Sequence, residues 1–356
     1  MKKLVFAFYY IWYGNPKVSK KWLKWDNAGH NPDNKLNGLN DISAAHHPTK
    51  EPYDSSDEKI IRRQLQQAKK AGIDSLLTSV WLKTRGLEYT QKVFDKILTI
   101  ADTTNMKLTF YFEDLPSYEP SEVADAIIKM LKRYGKHKSF YTVNGKPIIL
   151  LYSRVLLQLG LDKWITVAKL VNEKIKTIFI ADTKDEKWVK NFDGAFRYTI
   201  LDDLLSKRDQ EKVYYEYVNK CKKHDKISCL TVMPGYDDSA LKNQKKEFFS
   251  DLGESVKKEL NIMRMLKLIW KLLVRIKNGE FRWILLTFGI HKYEIASREK
   301  GKVYERLWNA AIKADPEIVL ITSFNEWHEG TEIEPSEELG DKYLQMTEKF
   351  IKEFKK

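Results

Sequence analysis

Short runs of β-branched, aromatic and leucine residues recur along the chain, most of them followed by a stretch in which apolar positions return every three or four residues. Eight such runs stand out: LVFAFYY (4–10), IDSLLTSVW (73–81), KLTFYFE (107–113), PIILLY (147–152), KTIFIA (176–181), DGAFRY (193–198), ISCLTVM (227–233) and IVLITSF (318–324). Nearly continuous apolar runs belong to strands covered on both faces, and a helical pattern between successive strands supplies the crossovers of a parallel sheet. Clear helical stretches are EKIIRRQLQQAKKA, capped by Ser56 and ending at Ala71, then 89–105, 119–134 and KGKVYERLWNAAIKA. The predicted fold class is α/β, a (β/α)8 barrel (TIM barrel) forming one catalytic domain over 1–356. In such a barrel the chemistry sits in the loops that follow the strands.

One interval breaks the rhythm. Residues 234–317 separate the seventh run from the eighth, far more than one helix needs, and the excess lies at 240–297. A loop at that place leaves the face that carries the active site, so this insertion is expected beside it.

Composition sets the class without choosing a function. Hydrophobic residues at 43% and aromatics at 12% suffice for a large core, which excludes a disordered chain. A net charge of +13 asks for an anionic neighbour, whether nucleic acid, acidic lipid or acidic substrate. Cys221 and Cys229 are too few for a disulfide framework and lack metal spacing, which reads as reduced thiols in a cytoplasmic protein. The opening MKKLVFAFYYIWYG has the two lysines of a secretory signal, but no small-residue cleavage site follows and its aromatic cluster is too bulky. It is read as the first strand. No apolar run approaches the roughly 18–20 residues that span a bilayer. The sequence contains no GxGxxG, phosphate loop, HExxH or Cys/His cluster, so no cofactor and no metal are expected, and no nucleic-acid motif answers the charge.

The residues just past each run are polar and aromatic. They include Tyr10, Trp12, Tyr13 and Trp25 after the first, Ser79 and Trp81 after the second, and Glu113 and Asp114 after the third. Tyr152 and Arg154 follow the fourth, Arg197 and Tyr198 the sixth, and Tyr236, Asp237 and Asp238 the seventh. Flat rings stack on sugar faces and carboxylates accept from hydroxyls, so this inventory suits a carbohydrate. After the eighth run comes SFNEWHEGTEIEPS, with Asn325, Glu326, Trp327, His328 and Glu329. Cleaving a glycosidic bond takes an acid for the departing oxygen and a second carboxylate near the anomeric carbon. In a straight strand Glu326 and Glu329 would point to opposite faces, so the pair requires a turn after Phe324, which Gly330 makes easy. His328 is expected to orient a carboxylate or touch substrate; Glu332 and Glu334 are read as rim or structural residues.

The segments FAFYYIWYG, PYDSSDEKIIRRQLQQAKKAGID, TVMPGYDD and SFNEWHEGTEIEP resemble glycoside hydrolase family 99, the endo-α-mannosidase and endo-α-mannanase family, over most of 4–240 and 300–345. The resemblance implies a (β/α)8 fold and metal-free, retaining hydrolysis of internal α-mannosidic bonds. It implies a route through a 1,2-anhydro sugar, formed when the substrate's own 2-hydroxyl attacks the anomeric carbon. Carried over residue by residue, it makes Glu326 the base for that hydroxyl and Glu329 the acid and then base, so Glu329 must start protonated and Glu326 ionised. Tyr10, Trp12, Tyr13, Trp25, Glu113 and Tyr236 match substrate contacts; Trp81, Tyr152, Tyr198, Asn325, Trp327 and His328 join them on position at the strand ends. The chain departs from the family at Asp114-Leu115-Pro116 and in the insertion, both of which bear on which glycan fits. A glycosyltransferase-like role in glycan assembly and a non-catalytic glycan-binding role are the alternatives.

Within the insertion, 256–290 reads as a basic amphipathic helix and a second apolar run. Lys267, Trp270, Lys271 and Trp283 are placed to meet an anionic membrane surface, with a lid or dimer helix as the other reading and the oligomeric state open. The expectation is a peripheral enzyme on the inner face of the membrane, acting on an oligosaccharide or a glycolipid.

Overall fold

The structure, a computed structural model, describes residues 2–82, 84–241 and 294–356. Eight parallel strands form the barrel: β1 (Leu4–Tyr9), β2 (Ser75–Val80), β3 (Lys107–Phe112), β4 (Lys146–Leu151), β5 (Ile178–Asp182), β6 (Gly194–Phe196), β7 (Ile227–Val232) and β8 (Ile318–Ile321). They pair in the order β3-β2-β1-β8-β7-β6-β5-β4, and β4 returns to β3 through Tyr111↔Leu150 and Phe112↔Leu151, which closes the ring. Every expected strand is present, each within one or two residues of its apolar run at the start. The ends are shorter where the run includes residues that leave the ladder, most clearly after Ile321.

Alternation along β1 shows the two sides of the wall. Val5, Ala7 and Tyr9 face the surrounding helices, whereas Phe6, Phe8 and Tyr10 fill the barrel, and all six are buried. The interior is unusually aromatic. Phe8 meets Tyr111 edge-on at 4.8 Å and Tyr198 at 5.0 Å, an arrangement that sets the positive ring edge against the negative face.

The helices that cover this wall follow their apolar spacing. In α1 (Glu58–Lys70), Ile61, Leu65 and Ala68 recur at three and four positions and are buried. Its cap is Asp57, whose carboxylate accepts from Lys59 N at 2.8 Å, not Ser56 as expected. Ser56 Oγ donates instead to Asp54 at 2.6 Å. The helix α2 (Thr84–Thr104) begins before position 89, while α3 (Pro120–Tyr134) and α7 (Lys302–Ala314) agree with their patterns. The remaining covers are α4 (Leu161–Lys174), the short α5 (Glu186–Asn191), α6 (Gln210–Lys222) and α8 (Lys342–Phe354). Among the described residues no helix is long and apolar enough to cross a membrane.

The ends of the insertion are placed by a short antiparallel ladder, Tyr236↔Ala296 and Asp237↔Ile295. The chain therefore leaves and returns at one point past β7, beside the loop that follows β8. Lys267, Trp270, Lys271 and Trp283 lie outside the described residues.

Candidate active site

Past β8 the backbone turns at once. Phe324 N donates to Phe8 O at 2.8 Å, so the loop is tied to β1 before the two glutamates appear. Asn325 completes that tie: its side chain accepts from Tyr10 N and donates to Tyr10 O, both at 2.8 Å, a two-bond clamp on one residue of the neighbouring strand. Trp327–Glu329 then form a single 3-10 turn, which Glu326 caps by accepting from His328 N at 3.2 Å. Gly330 ends it at φ +55°, where a Cβ would stand 2.9 Å from Asp237 O and 3.1 Å from Asp237 N. The turn that the two carboxylates require is thus made by Gly330, the one residue type that fits both the angle and the space.

Around this turn the carboxylates meet a tyrosine pair. Tyr198 Oη donates to Glu329 Oε2 at 2.8 Å and accepts from Tyr10 Oη at 2.7 Å. Burial first, and then the negative charges of Glu113, Glu326 and Glu329, push the Tyr10 phenol well above its usual range. Burial and then Glu329, Tyr10 and Glu326 do the same for Tyr198. Both hydroxyls consequently stay protonated and act as donors, with three carboxyl groups converging on one pair of rings.

Glu326 is 3% exposed and held from two further sides. Tyr13 Oη points to its Oε1 at 3.4 Å and also accepts from Trp327 N at 3.1 Å. His328 Nε2 lies 2.8 Å from the Lys24 carbonyl, which can only accept, so that nitrogen carries a proton. Its Nδ1 faces Glu326 Oε1 at 3.3 Å. Of the two expectations for His328, orienting a carboxylate is the one its contacts describe. Glu113, past β3, is pushed up to about 7, chiefly by burial; the Ser79 hydroxyl and the Arg154 and Lys24 charges pull the other way, and Glu326 raises it further. Arg154 donates to the Glu113 carbonyl at 2.7 Å and lies over the Tyr152 ring at 5.5 Å.

The structure therefore brings together Tyr10, Tyr13, Glu113, Tyr152, Tyr198, Glu326, His328 and Glu329. Trp12 and Trp81 stand at one side, 6.0 Å apart and edge to face, on a cavity of about 600 Å³. Tyr236 lies past β7 at the ladder that closes the insertion and is 9% exposed. Tyr13, Trp25, Asn325 and Trp327, all expected to contact substrate, are fully buried, and the last three support the loop from behind. Trp25 stacks on Tyr13 at 4.2 Å and donates to Tyr53 O, while Trp327 Nε1 donates to Tyr53 Oη at 3.1 Å. Tyr53 in turn donates to Glu334 at 2.8 Å. Glu334 also accepts from Gln64, and Glu332 pairs with Arg298 and His46. Both glutamates are buried and structural; neither is at the rim.

Three residues of this site were not visible in the sequence. Lys24 lines the cavity, but nothing in a chain with 62 basic residues singles it out. Asp182, raised to about 6 chiefly by burial, accepts from Tyr198 N at 2.9 Å and so fixes the residue that holds Glu329. Tyr53 joins Asn325, Trp327 and Glu334; it lies in the segment PYDSSDEK that carries the resemblance, but nothing there marked its role. Among the described residues no group of three or more His, Cys, Asp or Glu side chains is placed to hold a metal ion.

Comparison with known proteins bears on the family and the fold. The model of glycosyl hydrolase family 99 matches residues 1–254 and 291–354. A mouse glycoprotein endo-alpha-1,2-mannosidase-like protein is 24% identical over 355 residues, covering 92% of this chain and 68% of that one. The glycoprotein endo-alpha-1,2-mannosidase of Xenopus laevis is 24% identical over 356 residues with the same coverage. Among solved structures, the GH99 endo-alpha-mannosidase from Bacteroides thetaiotaomicron superposes with a TM-score of 0.69 at 24% identity, over 98% of this chain and 97% of that one. The chain belongs to glycosyl hydrolase family 99 and is a glycosidase.

Proposed function

We propose that this glycosidase cleaves internal α-mannosidic bonds with retention, using the substrate's own 2-hydroxyl. Glu326 takes the proton from that hydroxyl, its oxygen forms a bond to the anomeric carbon, and the glycosidic bond breaks as Glu329 protonates the leaving oxygen. Glu329 then takes a proton from water, the water oxygen attacks the anomeric carbon, and the 1,2-anhydro ring opens as Glu326 returns its proton to the 2-oxygen. Each carboxyl group ends as it began.

The observation that carries this reading is the convergence of Glu326 and Glu329 on the Tyr10–Tyr198 pair at the end of the barrel where the strands finish. Tyr198 holds Glu329 toward that pair, and Tyr13 and His328 hold Glu326 from its other side. Similarity to endo-alpha-mannosidases supports mannose as the sugar. The test is a set of matched α-mannobiosides carrying a 2-hydroxyl, a 2-hydrogen or a 2-O-methyl group on the ring that is cleaved. Turnover of the first alone, with the α-anomer released first in the NMR time course, is expected. Comparable hydrolysis of the 2-deoxy compound, or release of the β-anomer, overturns the route.

We also propose that the inserted segment attaches the enzyme to the cytoplasmic face of a membrane, where a mannose-bearing glycolipid would be within reach. Its support is the basic amphipathic pattern of 256–290 and the position of its ends past β7. Liposome co-sedimentation of the full chain and of a 252–293 deletion tests this, and equal partitioning rules it out.

A further inference from the structure

We propose that the cavity beside the catalytic turn recognises an anionic group, a phosphate ester or a carboxylate, carried by the glycan, with Lys24 as the cation that selects it. The inference rests on the glycosidase reading and names a substrate class within it. The cavity, about 600 Å³, runs between the loops that follow β1 and β2, and Trp12, Trp22, Lys24, Ser79 and Trp81 are on its wall. The Lys24 ammonium lies 4.8 Å from the Trp12 ring centre and 5.6 Å from that of Trp81. Two indoles therefore strip water from one side of the charge, and the carboxyl it acts on is Glu113, which burial raises to about 7.

The backbone holds the ammonium there. Lys24 adopts φ +69°, a left-handed conformation that costs any residue with a Cβ. Its carbonyl is fixed by two donors, His328 Nε2 at 2.8 Å and Ser43 Oγ at 2.6 Å. The same residue thus anchors the imidazole behind Glu326 and sends its cation into the cavity, tying a recognition group to a catalytic one by a single peptide unit.

The wall also has a bias toward donors. The Trp81 indole N–H is buried without a partner among the described residues, and an indole nitrogen only donates. A sugar hydroxyl must place its own proton somewhere, whereas anionic oxygens only accept. A charged acceptor set against a half-dehydrated ammonium forms the stronger, charge-assisted bond. Exposed Asp26 and Lys21 on the rim oppose each other in sign.

The test is calorimetric titration of the full-length Glu329→Gln chain, which turns over little, with three ligands. These are a neutral α-mannobioside, the same disaccharide with a 6-phosphate, and the same with a 6-carboxylate. At low salt at least one anion is expected to bind about tenfold or more tighter than the neutral compound, and the advantage should shrink several-fold in ~0.5 M salt. Adding Lys24→Met should bring the advantage below about twofold, and Lys24→Arg should retain most of it. Neutral binding as tight as both anions, or an advantage that survives Lys24→Met, overturns the inference. If Lys24→Met does not fold, the salt series on the Lys24-containing chain decides alone: a salt-independent preference, or none, overturns it. Hydrolysis by the unmodified enzyme separates the two readings. Cleavage of the neutral disaccharide without any anion preference sinks the Lys24 assignment only, whereas anion-selective binding without cleavage of any mannoside sinks the mannosidase reading only.

Discussion

Tyr198 and Glu329 are 131 positions apart in sequence and share a 2.8 Å hydrogen bond, phenol to carboxylate. The bond depends on parts contributed by distant segments: Asp182 holds the Tyr198 backbone, Tyr10 donates to the phenol, and Gly330 permits the turn that presents Glu329. Removing the donor with Tyr198→Phe should lower kcat roughly tenfold. Loss of a donor to a carboxylate disfavours its anion, so the alkaline limb of the kcat/KM profile should move to higher pH. A pH profile of the variant checks both, and an unmoved limb would mean that this bond does not bear on the acid.

Glu113 gives a stability prediction with a definite sign. Its carboxyl is raised from the ordinary 4.5 to about 7, chiefly by burial. Between those values the folded chain binds more protons than the unfolded one, so stability falls as pH rises from about 4.5 to 7. The fall amounts to roughly 3 kcal/mol at most. Glu113→Gln should flatten this slope, making the variant relatively more stable than the parent at pH 8 than at pH 4.5. Denaturant melts at the two pH values measure it.

Gly330→Ala tests the turn itself. A methyl group there meets Asp237 backbone atoms at 2.9 and 3.1 Å in a left-handed conformation. The expected cost is roughly 1–3 kcal/mol in denaturant unfolding. A loss of kcat larger than the loss of substrate affinity should accompany it, because Glu329 is the side chain displaced. Full activity in the variant would show that the loop tolerates another path.

Much of this architecture was legible in the residues. Buried parallel strands are apolar on both faces, so LVFAFYY and KLTFYFE read as strands without help from tertiary structure, and the SFNEWHEG stretch marked where chemistry follows β8. What local pattern could not supply was direction and depth. Asn325 and Trp327 adjoin Glu326 in sequence, yet they turn inward to clamp Tyr10 and meet Tyr53, because a tight turn sends neighbouring side chains to opposite sides. Ser56 and Asp57 are both competent caps; Asp54 decided between them by occupying the serine hydroxyl. Arg197 has the position of a site residue but is drawn to Asp203, a pairing that spacing alone does not announce. Lys24 was invisible for a related reason, since its role comes from two indoles contributed by separate strand ends.

The most direct measurement of the central claim is the turnover of Glu329→Gln on two α-mannosides that differ only in leaving group. If Glu329 is the acid that protonates the departing oxygen, the variant should lose about a thousandfold or more on a sugar leaving group. Most of that loss should be regained in kcat/KM with a dinitrophenolate, which departs without a proton. Equal activity of parent and variant on the sugar leaving group, or an equal loss on both substrates, would contradict the role assigned to this carboxylate.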